Sequence, residues 1–442
     1  MTLMGLIKNQ LLTTFAARGV AAGGTFLLSY ILATLVSVQD FGAFMICFSI
    51  MIGLQVFSSI GTDRATLKFM GVAVSNNSKN EVNWIYRQGF IINLIIGVLF
   101  SILLWVFAPL ISDWLFTDQD LGVTSLKVTA LVTPLYSIIY LCNFILKGWG
   151  KANVSCLFEI GCISIILSIM IVIASKIFNF QLNVVNLMQM LASVLAVYLI
   201  VAFGLVVRVY KKSTLMLTDK ISFERGFYKS LPDFLLVGII FYYTQWGLSI
   251  VLGFFETESE VAIFSLGLRM AMIVGFILTV YDSILGPRFS RLYHEGNNQG
   301  LKDLAQKSAL QMFCFSLIPS VVFLVWPQWV LGFFGTDYST ASSVLRILVI
   351  AQLINVMTGS VVLFLLMTDS QKVARDILVL SVVIGGVASV FLIPRFGAEG
   401  AAASLFICLV IQNFLAVYIV KKKFGFLIID WRSTFDSSKH QI

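Results

Sequence analysis

Apolar segments of about twenty residues recur along the whole of this chain, and that recurrence restricts the fold more than any motif in it. A helix of that length matches the hydrocarbon thickness of a bilayer. Inside lipid every backbone N–H and C=O must be bonded within the protein, so such segments become helices. Twelve spans are placed, at 11–36, 41–62, 88–108, 123–146, 155–176, 187–209, 231–253, 261–286, 309–326, 344–367, 377–394 and 399–420. A signal peptide would account for the first apolar segment alone. The expected fold class is an all-α polytopic membrane protein.

Composition agrees, since only 12% of the 442 residues are charged, where a soluble domain carries about 25%. Cys47, Cys142, Cys156, Cys162, Cys314 and Cys408 all lie in apolar segments, with no CxxC and only two histidines, His294 and His440. Disulfides, a zinc site and a resident cofactor are not expected. The net charge of +8 is read as basic cytoplasmic loops and not as nucleic-acid binding. Those loops carry Arg64, Lys68, Lys79 and Arg87; Lys147 and Lys151; Lys211, Lys212, Lys220, Arg225 and Lys229; and Arg288, Arg291, Lys302 and Lys307. Opposite them stand Asp113, Asp118, Asp120, Glu256, Glu258 and Glu260. The positive-inside rule therefore places both termini in the cytoplasm.

The two halves repeat. "WLFTDQDLGVTSLKVTALV" from Trp114 aligns without a gap on "FFGTDYSTASSVLRILVIA" from Phe333, at an offset of 219. Thr117-Asp118 falls on Thr336-Asp337, and Lys127 on Arg346. Pro109 and Pro327 follow the ends of spans 3 and 9, and Asp40 matches Glu260 at an offset of 220. Parallel repeats of six helices form two lobes that rock about a central cavity, an architecture for alternating access. Residues 1–210 would form the first lobe, 211–230 a cytoplasmic linker, 231–420 the second lobe and 421–442 a cytoplasmic tail.

"RGVAAGGTFLLSYILATLVSVQDFGAF", the two "P…LFT" and "P…FFGT" blocks and "SEVAIFSLGLRM" resemble bacterial polysaccharide flippases of the Wzx type. Those belong to the multidrug/oligosaccharidyl-lipid/polysaccharide exporter superfamily. The resemblance covers essentially the whole chain and implies a multi-pass protein of the bacterial cytoplasmic (inner) membrane. Its implied cargo is an undecaprenyl-pyrophosphate-linked oligosaccharide, an O-antigen or similar repeat unit, moved to the periplasmic leaflet. Membrane lipid and other polysaccharide-assembly proteins are the implied partners. Spans 1, 2, 7 and 8 would border the cavity.

Candidate residues follow. Arg18 lies about 10 Å inside span 1 at the helical rise per residue, where a charge costs roughly 2.5–3.5 kcal/mol near the membrane centre. Thr14, Arg18, Ala21, Ala22, Thr25 and Ser29 recur at helical spacing as a polar stripe, and Gly19 and Gly23 form a GxxxG pair that suits close packing. Arg18 would face a cavity, or snorkel to the headgroups. Arg269 in span 8 is a second intramembrane cation, and arginine's planar fork suits phosphate; a structural pair with Asp282 is the alternative. Tyr242, Gln245 and Trp246, with Ser249, would offer stacking and hydrogen-bonding groups to a sugar, or serve as helix packing. Arg64, Arg288 and Arg291 would meet an anionic headgroup at the cytoplasmic mouth, or act only as positive-inside charges. Glu159, Asp282 and Asp233 are candidate ion-coupling carboxylates for an H+ or Na+ gradient, Asp233 also suiting a helix N-terminus.

Two other functions compete. A multidrug or cation antiporter would share the architecture, but span 1 offers an arginine where such a protein needs a carboxylate. A membrane polysaccharide polymerase or acyltransferase would need clustered catalytic groups, which short loops and two scattered histidines do not supply.

Overall fold

The structure is a computed structural model that describes residues 3–213, 215–216 and 224–430, with side chains from residue 19 onward except those of 283, 336, 337 and 339. Among the described residues all regular structure is helical, apart from one isolated bridge pairing Ser78 with Met216. By contact density the chain divides into Met1–Ala262 and Ile263–Ile442.

The first unit opens with α1 (Leu3–Leu35) and α2 (Val38–Ser59), followed by the shorter α3 (Thr62–Ser75). Then come α4 (Lys79–Leu115), α5 (Gln119–Gly148), the short α6 (Ala152–Ser155), α7 (Ile160–Lys176) and α8 (Val184–Lys211). Next are α9 (Glu224–Tyr242), a π turn at Tyr243–Gly247, α10 (Leu248–Phe255) and the start of α11 (Glu258–His294). The second unit holds the rest of α11, α12 (Asn298–Val325), α13 (Pro327–Gly332), α14 (Ser342–Met357), α15 (Val361–Met367) and α16 (Gln371–Phe424).

Local chemistry sets the helix starts. The Ser37, Ser78, Asp118, Asn183 and Asn297 side chains each accept a hydrogen bond from a backbone N–H three residues on, which satisfies one of the donors a helix leaves open. Hydropathy does not see these caps, so α4 begins at Lys79 and not near 88, and α12 at Asn298 and not near 309. Pro109 lies inside α4, which continues to Leu115, while Pro327 occupies the first turn of α13. Asp233 lies well inside α9, which is already helical at Glu224, so it does not open the helix.

Among the described residues, helices lie over each of the twelve expected spans. Nine described helices are long and apolar enough to span, and the bent pair Ala152–Phe158 and Ile160–Lys176, at 46°, makes a tenth. α1 contributes the shorter apolar stretch Gly19–Leu35. α16 has 54 residues, about 81 Å if straight, and covers two crossings. Gly397 (φ 54°, ψ −130°) breaks it between them.

Lipid is as apolar as leucine, so packing within the membrane relies on close approach more than on the hydrophobic effect. The approach of α1 to α7 is made at Gly24, where a Cβ would strike the Gly161 carbonyl. Gly19 and Gly23 have no atom within 4 Å of where a Cβ would stand, so the expected GxxxG contact is not made there. At one end of the second unit an aromatic core forms. Phe364 meets Phe289, Phe424 and Phe426 at ring-centroid distances of 5.3, 5.1 and 5.9 Å. Each fully buried phenylalanine is worth about 1.5–3 kcal/mol there.

Candidate functional site

Where α9 gives way to α10, the π turn adds a residue and shifts the side-chain phase. Tyr242 turns its hydroxyl to donate to the Ser49 carbonyl of α2 at 3.1 Å. The Trp246 ring packs on Phe48 with centroids 5.2 Å apart, and Ser249 is buried. Tyr242 and Trp246 thus brace α10 and α9 against α2, the helix-packing role. Gln245 lies half-buried on the same turn.

Arg64 joins this interface from α3. Its guanidinium approaches Asp63 at 3.9 Å, reaches the Phe234 carbonyl at 3.5 Å and stacks over the Phe241 ring at 5.7 Å. It is held against α9 instead of standing free among the loop charges. Asp63 is only 4% exposed, and its Oδ1 has no hydrogen-bond donor. Burial raises its carboxyl above the usual 3.8, and the neighbouring Arg64 charge offsets only part of that.

Of the α1 stripe, Thr14 and Arg18 have side chains outside the described residues. The Thr25 hydroxyl donates to Ala22 O of its own helix at 2.9 Å, and Ser29 to Thr25 O at 3.1 Å. Ala21 and Ser29 are buried while Ala22 is exposed, so the stripe is not one uniform face. Arg269, in α11 within the second unit, is 7% exposed, with Nη1 3.4 Å from Met272 Sδ. It lies thirteen residues from Asp282, about 20 Å along the helix, which rules out an ion pair between the two. Arg288 is exposed, and Arg291 pairs with Glu295 at 2.9 Å on the surface.

Glu159 sits at the bend before α7 and pairs with Lys147 at 3.0 Å. Asp282 is half-buried beside the Ser360 hydroxyl. Among the described residues no group of three His, Cys, Asp or Glu could hold a metal ion.

One constellation lay outside the sequence reading. Glu258, 3% exposed, accepts from the Thr117 N–H at 2.7 Å and from its hydroxyl at 3.1 Å. Gln39 donates to the same hydroxyl at 2.7 Å, and Asp40 accepts from the Val184 N–H at 3.0 Å. These bonds clasp the outer ends of α2, α4, α8 and α11. A cavity of about 270 Å³ lined by Trp114, Phe254 and Glu256 adjoins the clasp and contains none of the predicted binding residues. The repeated Thr-Asp pair was the signal: Thr117 enters the clasp while Asp118 caps α5.

The sequence profile described as "Polysaccharide biosynthesis protein" matches residues 7–293, and the MatE profile matches residues 235–393. Curated proteins return no match. Among solved structures, an inward-facing multidrug resistance MATE family transporter of the MOP superfamily has a TM-score of 0.76 at 13% identity, covering 94% of this chain and 98% of its own. The lipid II flippase MurJ, in an inward closed conformation, gives 0.65 at 12%, covering 94% and 88%. The MATE multidrug transporter DinF-BH gives 0.63 at 16%, covering 97% of each. At these identities the likeness is one of fold: the related proteins are transporters and flippases with twelve helices in two lobes. With a profile that runs from the start of α1 to the end of α11, this chain belongs to the polysaccharide biosynthesis protein family.

Proposed function

We propose that this chain is a Wzx-type flippase that carries an undecaprenyl-pyrophosphate-linked oligosaccharide from the cytoplasmic to the periplasmic leaflet of a bacterial inner membrane. The observation that carries the reading is Arg269, a nine-tenths buried arginine in a membrane-spanning helix. Such a charge is costly in lipid and marks a pathway by default. Its five donors match a pyrophosphate or an acidic sugar, and its charge survives burial. The polysaccharide biosynthesis profile over residues 7–293 supports the same cargo class. Arg18 would meet the anion within the cavity, and Arg288 and Arg291 would attract the headgroup at the cytoplasmic mouth. Proteins that assemble the polysaccharide would act before and after this step, and an H+ or Na+ gradient would give it direction.

Export of a cationic drug is the second reading, supported by the MatE profile over residues 235–393. Cells lacking this gene separate the two. Cytoplasm-facing lipid-linked oligosaccharide should accumulate, be cleared by the wild-type gene, persist with Arg269→Ala and fall partly with Arg269→Lys. Normal oligosaccharide levels together with a changed drug resistance would transfer the assignment to drug export.

A further inference from the structure

At the outer face a buried carboxylate joins residues of different repeats. Glu258, which opens α11 in the second repeat, accepts from the Thr117 N–H at 2.7 Å and from the Thr117 hydroxyl at 3.1 Å. Thr117 lies in the turn between α4 and α5 of the first repeat. Gln39 donates to the same hydroxyl at 2.7 Å, which leaves the hydroxyl's own proton directed at Glu258. The receiving side is tied together within the first repeat, where Asp40 accepts from Ser37 at 2.6 Å and from the Val184 N–H at 3.0 Å. The covalent linker between the repeats carries Lys211, Lys212, Lys220, Arg225 and Lys229, which assigns it to the opposite face of the membrane. The outer contact is therefore free to part without straining the chain.

Three features fit it for parting. Phe116 and Asp118, on either side of Thr117, have extended backbone, so no helical bond breaks when Glu258 leaves. Thr117 is exposed, and water can replace its acceptor at little net cost. Packing around the contact is loose as well. The cavity of about 270 Å³ lies beside Trp114, Phe254 and Phe255, and Trp114 keeps 59% of its surface exposed; a permanently closed core would fill such a void. Close approach is made at Gly42 of α2, where a Cβ would overlap the Glu258 carbonyl. Finally, the contact is one-sided. At the offset of 220 Glu258 corresponds to Val38, which opens α2 as Glu258 opens α11 and has no side-chain acceptor. A bond required by the fold of each repeat would be present in both.

We infer that Glu258 and Thr117 form a latch that holds the outer ends of the two repeats together and parts when the outer side opens. The latch rests on the alternating-access transporter read above and not on its cargo. Nitroxides attached at Asp120→Cys and Phe255→Cys, in full-length protein lacking its six native cysteines, report the outer separation by pulsed electron resonance in detergent. With the latch intact a short distance should predominate. Glu258→Ala should raise the ratio of long to short distances about tenfold or more, and Thr117→Val, which keeps the backbone donor, by less. Asp40→Ala, which loosens bonds inside the first repeat alone, should leave the ratio as it was. If Glu258→Ala does not yield folded protein, Thr117→Val against Asp40→Ala decides the matter. An unchanged ratio in Glu258→Ala and Thr117→Val, or an equal rise in Asp40→Ala, would overturn the latch. These distances are read without cargo, so normal oligosaccharide levels in cells lacking the gene would overturn the flippase assignment and leave the latch standing.

Discussion

Asp63 has been taken out of water with one oxygen still lacking a donor, and that has a measurable consequence. Its folded-state carboxyl titrates above 3.8, mainly because burial penalises the charged form. The folded protein therefore holds this proton more tightly than the unfolded chain. The resulting stability is fully present below the usual carboxylate range and is lost as pH rises through the folded value. Asp63→Asn, neutral at every pH, should remove that part of the pH dependence, so unfolding midpoints of the variant and wild type should diverge as pH rises from about 4. Parallel curves would show that Arg64 neutralises the carboxylate fully. The arginine beside it was legible in the sequence as a cytoplasmic charge. Its hold on Phe234 and Phe241 was not, because those partners are 170 and 177 residues away. Tyr242 and Trp246 were likewise legible as a functional-looking pair, and only their contacts with Ser49 and Phe48 show that they brace α2.

Helices follow from hydropathy, but the turns that interrupt them follow from backbone constraints. At the join of α2 and α3, Ile60 and Gly61 both adopt positive φ, at 44° and 82°. A Cβ on Gly61 would stand 2.5 Å from the Leu231 carbonyl of α9. Gly61→Ala combines a left-handed backbone with that collision and should cost at least ~2 kcal/mol. Thermal unfolding in detergent measures this; a loss below about 0.5 kcal/mol, the usual surface range, would mean α9 yields at this point. The cap residues and the glycine were visible in sequence, but α3, the π turn and the break at Gly359 were not. Each depends on what the interrupted helix packs against, and a window of hydropathy averages across it.

Across the whole molecule the repeat links sequence to architecture. Lys127 and Arg346, matched by the offset, both reach back to an earlier helix: Lys127 lies over the Trp105 ring of α4 at 5.6 Å, and Arg346 donates to the Leu324 carbonyl of α12 at 3.2 Å. The charge asymmetry orients this architecture in the membrane. A cysteine in place of Phe180, between α7 and α8, should react with an impermeant maleimide in intact spheroplasts. One in place of Asn298, at the start of α12, should react only after permeabilisation; the reverse pattern would invert the topology.

Apolar length, charge bias and internal spacing are properties of the chain read in order, and from them came the class of fold, the twelve crossings, their orientation and the twofold repeat. Which polar groups inside the spans are satisfied, and which are left open, was settled in three dimensions. Folding gave Glu159 a lysine, and it gave Glu258 the Thr117 backbone from 141 residues away. Neutralisation of a buried charge depends on groups that converge from distant parts of the chain, and no local reading of residue types contains that convergence.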